Sequence, residues 1–399
     1  MVFPPRRSTK EIQAALPKKA CLWTFFETGG RMHSFLFAKE KYVHWNLTAG
    51  SGVRKKLIAM LKAVGNFDHN SSLPIAKLSE ADWRKPAKEM LELLLTGSKV
   101  PPRVLAEKFD EIIIVPDGVL WYLPFEALQI PTADGKSISL LEKTRIRYAP
   151  TASLAAPMGR LKAFGSTLAV VPGKLHPRDT PEVTQAAIVQ LSRAIKEVRT
   201  ISAPLPAPSP IYGSTLEKLL VLEEIERGAA GPYDWSPLPL DRSQAVGALS
   251  KWFALPWGGP AAIMLPGYRT AAEDSLRPRK GVNSSGHEVF LSICGMMSTG
   301  TRTVLLSRWR CGGQTCFDLV REFAQELPHA SASDAWQRSV QLAADTQINP
   351  DAEPRIKGAT DTEPPTARHP FFWSGYMLID TGVSVPAEGE KQAAKKAAG

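Results

Sequence analysis

Two residue types that nucleophilic and metal chemistry depend on are scarce: the 399 residues include 4 cysteines and 7 histidines. The cysteines, Cys21, Cys294, Cys311 and Cys316, are too few and too apolar in setting for a disulfide framework. No CxxC pair lies near histidines, which excludes the usual zinc-finger spacings. In CGGQTC, Cys311 and Cys316 have no His or Asp beside them, so a structural role in the core is expected. No run approaches the roughly 18 apolar residues of a membrane span. MVFPPRRSTKEIQ lacks the apolar centre of a signal peptide, so a cytoplasmic location is expected. There is no GxSxG nucleophile elbow and no GxxxxGK[ST] phosphate loop, and no cofactor or metal is expected. No repeat of solenoid length is visible.

What is present is a core-forming chain: 44% of residues are hydrophobic and the formal charge is +10. The 49 basic residues are scattered, without a run of five and without an aromatic-basic RNA-binding motif. A solvated surface accounts for them, and nucleic acid is not the expected partner.

CLWTFFET, RMHSFLFA and KYVHWNL read as a strand meander. Residues 51–66 and 84–96 carry apolar residues at three- and four-residue spacing and read as amphipathic helices. EIIIV (111–115) suits a strand buried on both faces, PDG is a turn, and VLWYL (119–123) reads as a second strand. STLAVVPG, AAIML and TRTVLLSRW are further strand candidates, whereas LEKLLVLEEIERG (216–228) shows helical spacing. TCFDLVREFAQEL predicts a helix with Cys316, Val320, Phe323 and Leu327 on one face and Thr315 as N-cap. The Pro-rich ISAPLPAPSPIYG (201–213) reads as a loop, and the last residues, 386–399, as a disordered tail. Alternating strands and helices predict an α/β fold with a mostly parallel sheet between helical layers, preceded by the N-terminal meander. One domain is expected over residues 1–385, with halves at 1–160 and 161–385.

VPDGVLWYLPFEAL, together with LLEKTRIRYAPTASL, GTRTVLLSRW, SASDAWQRSV and HPFFWSGYMLID, resembles the CHAT domain family, relatives of caspases and separase among cysteine peptidases of caspase-like fold. The resemblance implies a caspase-like α/β/α sandwich. It also implies a catalytic cysteine at a strand end, in a Leu-Ser-Ala-Cys-x-Thr-Gly-like motif about 30 residues before the strand of GTRTVLLSRW, and an upstream histidine.

HEVFLSICGMM (287–297) offers His287 and Cys294 as such a pair, but only five residues would then separate Cys294 from Gly300. The segment reads instead as a helix, with Phe290, Ile293, Cys294 and Met297 on its buried face and Ser284, Ser285 and Gly300 at its ends. Seven helical residues span about 10.5 Å, beyond hydrogen-bond reach. The alternative register sets LPGYRTA (265–271) on the motif and puts Tyr268 in the cysteine slot. No histidine occurs between His176 and His287, so the window for the base is empty. Tyrosine, with an intrinsic pKa near 10, is a poor nucleophile without a base. Asp117, Glu126 and Glu273 have ready readings as turn, helix-start or surface residues.

In LLSRWRCGG, strand alternation sets Arg308 and Arg310 on one side. With Arg269 they are expected to form a basic patch around the vacated site, able to hold an acidic side chain or peptide. The expected function is a non-catalytic CHAT-like recognition or scaffold module with a protein partner, an acidic peptide or, as the family suggests, a helical-repeat protein. The alternatives are an active caspase-like cysteine endopeptidase with a displaced dyad, and a basic nucleic-acid-associated protein.

Overall fold

The computed structural model describes residues 6–47, 50–67, 72–132, 134–156, 165, 167–201, 217–225, 260–277, 285–358 and 365–382. The strands are β1 Ala20–Thr28, β2 Arg31–Phe37, β3 Tyr42–Leu47, β4 Leu73–Pro74, β5 Glu111–Val115, β6 Gln129–Pro131, β7 Ser137–Ser139, β8 Arg145–Tyr148, β9 Thr167–Val171, β10 Glu197–Thr200, β11 Lys218–Val221, β12 Ala262–Leu265, β13 Thr303–Ser307, β14 Ile356–Lys357 and β15 Tyr376–Asp380. Eleven of them form one sheet in the order β10-β9-β11-β12-β13-β15-β8-β5-β1-β2-β3. Pairing is antiparallel only within β1-β2-β3 and between β13 and β15; the other neighbours are parallel.

The meander begins with a two-residue turn, Gly29-Gly30, both at positive φ, which suits the twist of a tight hairpin. At the centre, β5 is buried at all five residues. Ile112 and Ile114 face the larger core, with Cys21 and Trp23 of β1. Ile113 and Val115 face a second core with Leu22, Ile12 of the helix Thr9–Ala15, and Ala155. Cores on both faces make the layered sandwich that parallel strands require. The helix Arg84–Leu95 buries Ala87, Met90, Leu91 and Leu94 at the expected spacing, and it packs on the helix Gly50–Val64. Among the described residues no helix is long and apolar enough to cross a membrane.

Several local expectations are corrected. Residues 119–122 lie in a 3-10 helix, Gly118–Tyr122, rather than a strand. Asp117 starts it by accepting the Gly118 N–H, and burial on every side removes the periodicity a strand would show. The helical reading of 216–228 also fails, because Lys218–Val221 is β11, held between β9 and β12. A four-residue apolar run fits either element, and here sheet pairing decides. Thr315 is not the N-cap of the helix Gln314–Glu326: Gly313 is, while the Thr315 N–H donates to Glu353. The expected apolar face of that helix is buried, as are Cys311 and Cys316. Residues 202–213 of the Pro-rich stretch and the tail lie outside the described residues.

Candidate functional site

The helix predicted between LPGYRTA and GTRTVLL is present as His287–Ser298 and leads into β13. Its buried face, however, is Val289, Ser292, Ile293 and Met296, rotated from the expected one. Cys294 sits on the flank, only partly buried, and burial still pushes its thiol up to about 11. His287 is exposed at the start of the same helix. Two turns of helix separate this histidine and cysteine, and they form no dyad.

β12 ends at Leu265, and its neighbours on either side are β11 and β13. The chain beyond β11 stays beside the chain beyond β12: the Ile225 N–H donates to the Gly267 carbonyl at 2.8 Å, and Ile225 and Tyr268 form a parallel bridge. Glycine is required there, since a Cβ on Gly267 would lie 2.0 Å from the Glu223 carbonyl oxygen. Tyr268, expected from the sequence in the cysteine slot, turns inward and is fully buried, with its hydroxyl 3.3 Å from Ser292 Oγ.

The surface of this strand edge is occupied by a carboxylate held between two guanidinium groups. Arg310 donates to Glu224 Oε1 from Nε at 2.7 Å and lies 2.6 Å away at Nη2. Arg269 donates to the same oxygen from Nη1 at 3.1 Å. The side chains keep 25%, 35% and 16% of their surface for Arg310, Arg269 and Glu224, so the cluster is partly solvent-accessible. His176, beyond β9, lies within the field of Arg310. Burial first, then Arg310, Arg355 and Arg178, lower its pKa to about 4, so the ring is neutral at pH 7. Asp179 fixes this corner by accepting the His176 N–H at 2.8 Å and the Gly313 N–H at 3.0 Å.

Arg308 does not join Arg269 and Arg310. β13 ends at Ser307, so strand alternation does not carry on to Arg310, and Arg308 points into the core with no exposed surface. Its Nη2 donates to Tyr148 Oη at 2.6 Å and lies 3.4 Å from Glu126 Oε2, and Nη1 donates to the carbonyls of Ser374 and Tyr376. Tyr148 donates in turn to Glu126 at 2.8 Å. Glu126 stands in the first turn of the short 3-10 helix Phe125–Ala127, as a helix-start residue would, but it is a buried counter-ion and not a surface residue. Burial raises its pKa, and Arg308 opposes the shift.

Glu224, His176 and Asp179 were missed by sequence reasoning. Glu224 lay inside a segment read as helix, and its proximity to Arg310 across 86 positions has no local signal. A separate cleft of about 730 Å³, lined by Phe25, Val115, Trp121, Arg277 and His287 among others, sits where the VPDGVLW segment meets the helix His287–Ser298. Glu224, Arg269 and Arg310 do not line it.

The family model of the CHAT domain matches residues 84–232, which include the VPDGVLWYLPFEAL segment and β11. Similar solved structures include two of the Saccharomyces cerevisiae separase–securin complex, each 9% identical in sequence. In each, the match covers 92% of this chain and 30% of the other, with TM-scores of 0.50 and 0.49. This chain thus spans less than a third of the length of that one. No curated protein matches the chain. The CHAT match and the first likeness agree with the sheet order: this is a caspase-like α/β fold with an N-terminal antiparallel meander.

Proposed function

We propose that the chain is a non-catalytic recognition module of caspase-like fold, which binds an acidic segment of a protein partner at the carboxyl ends of β11, β12 and β13. The observation that carries this reading is the Glu224–Arg269–Arg310 cluster. Two arginines converge on one carboxylate oxygen, and a planar fork of N–H donors is suited to carboxylate recognition. Glu224 occupies the place an incoming Asp or Glu side chain would take. Burial of Tyr268 in the nucleophile slot, with its hydroxyl toward Ser292, supports a binding rather than a peptidase role. So does the raised pKa of Cys294, because a thiol that ionises near 11 carries little thiolate at neutral pH. In the similar separase structure the binding partner is a protein, securin; a protein partner for this chain is part of the proposal.

The test is fluorescence anisotropy with a fluorescein-labelled hexaglutamate peptide. Glu224→Gln, which weakens the internal competitor, should tighten binding about tenfold, and Arg310→Glu should abolish it. Equal binding by wild type and Arg310→Glu would overturn the assignment of this site. Cleavage of the peptide that is lost in Cys294→Ala would restore a peptidase.

A further inference from the structure

The geometry points to a divalent transition-metal site on the open face of the meander, formed by His33 and His44, for an ion of the nickel, copper and zinc group. His33 lies on β2 and His44 on β3, and pairing sets His33 opposite Asn46 and His44 opposite Phe35. The two histidines are therefore diagonal neighbours on one face. His33 Nδ1 and His44 Nε2 are 3.3 Å apart. At metal–nitrogen lengths of 2.0–2.1 Å, donors with that spacing subtend about 104–111° at an ion, close to the tetrahedral angle. Imidazole is a ligand type this group of ions prefers over magnesium or calcium.

The two rings share a hydrogen bond, and binding of an ion replaces it: the bridging proton leaves and each imidazole turns so that its lone pair meets the ion. The two imidazoles lie within 11° of parallel, and Phe35 stacks on His44 with ring centroids 4.4 Å apart. Phe37 continues the row beside Phe35, and Tyr42 stands beside Phe37. These contacts limit the freedom of both rings, so less of it remains to be lost on binding. His44 is exposed and His33 partly so, which leaves an open approach from solvent. No cluster of three or more His, Cys, Asp or Glu suited to a metal occurs among the described residues, so the protein supplies two donors and water fills the remaining positions. Both nitrogens must be unprotonated to ligate, and acid competes with the ion.

The experiment is calorimetric titration of the untagged full chain with zinc chloride and, separately, nickel chloride, in a non-coordinating buffer at pH 7.5. One ion per chain is expected, reversed by EDTA and weakened as the pH is lowered. Capture by two nitrogens exceeds capture by one by about 10²–10⁴, so His33→Gln and His44→Gln should each weaken binding about a hundredfold. His329→Gln, which alters an exposed histidine elsewhere, should leave it unchanged. Circular dichroism melts without metal establish that each variant is folded. Absence of binding by the wild type, or undiminished stoichiometric binding by a folded His33→Gln/His44→Gln double variant, would overturn the site.

Discussion

Arg308 and Arg310 stand two positions apart in SRWR, and each meets a glutamate, yet their settings differ in nearly every physical respect. Arg308 and Glu126 are sealed in the core, where Tyr148 and two backbone carbonyls accept from the two terminal guanidinium nitrogens while Arg308 Nε and Glu126 Oε1 have no hydrogen-bond partner among the described residues. Arg310 and Glu224 keep part of their surface in water and share their carboxylate with Arg269. The first pair joins the LPFEAL segment to the end of β13, across 182 positions of chain. The second pair only brackets a surface edge. Removing one partner of a buried pair strands a charge in low dielectric, whereas an exposed pair dissolves into solvent at little cost. The buried pair therefore reads as architecture, and the part-buried one is the pair that the proposed binding would use.

The largest effect should come from breaking the buried pair. Arg308→Leu alone or Glu126→Leu alone is expected to cost about 3–5 kcal/mol in urea unfolding. The double variant should recover part of that loss, because neither charge is then left alone. Additive losses would mean that the two side chains do not act as a pair.

An intermediate effect is expected at Glu353, a buried carboxyl whose hydrogen bonds come from Thr315 rather than from an arginine. Desolvation pushes it up to about 8, against those bonds. A pKa raised in the folded state means that the native chain holds this proton more tightly than the unfolded chain. The stabilisation is complete below the ordinary value of 4.5 and is lost as the pH rises through about 8. The urea midpoint of the wild type should therefore fall between pH 5 and pH 8.5, and that of Glu353→Gln should fall less. Parallel profiles would show that Glu353 is not the group responsible.

The smallest stability effect belongs to the part-buried cluster at the surface edge: Arg310→Ala should change unfolding free energy by less than about 1 kcal/mol. A loss as large as that of Arg308→Leu would erase the distinction between the two arginines.

Much of the architecture was legible because its signals are local. EIIIV announced a strand buried on both faces, the helices Gly50–Val64 and Arg84–Leu95 followed their apolar spacing, and Asp117 of PDG, read as part of a turn, caps the 3-10 helix that follows. The helix His287–Ser298 was likewise readable, and with it the exclusion of a His287–Cys294 dyad. Its buried face was misjudged by about one residue, because neighbours with near-equal hydropathy leave the rotation to packing. LLVL was read as helix for a related reason: an apolar run of that length carries no period, and hydrogen bonds to β9 and β12 made it a strand.

The sequence by itself determined the elements whose hydrophobic period is strong, the scarcity of cysteine and histidine around LPGYRTA, and the presence of arginines near it. Which arginine is buried, which glutamate meets each of them, and that His33 and His44 face one another were decided only by tertiary structure. Periodicity is a property of neighbours along the chain, whereas the free energy of a charge depends on the groups and the solvent around it. Those surroundings are assembled from residues far apart in the chain.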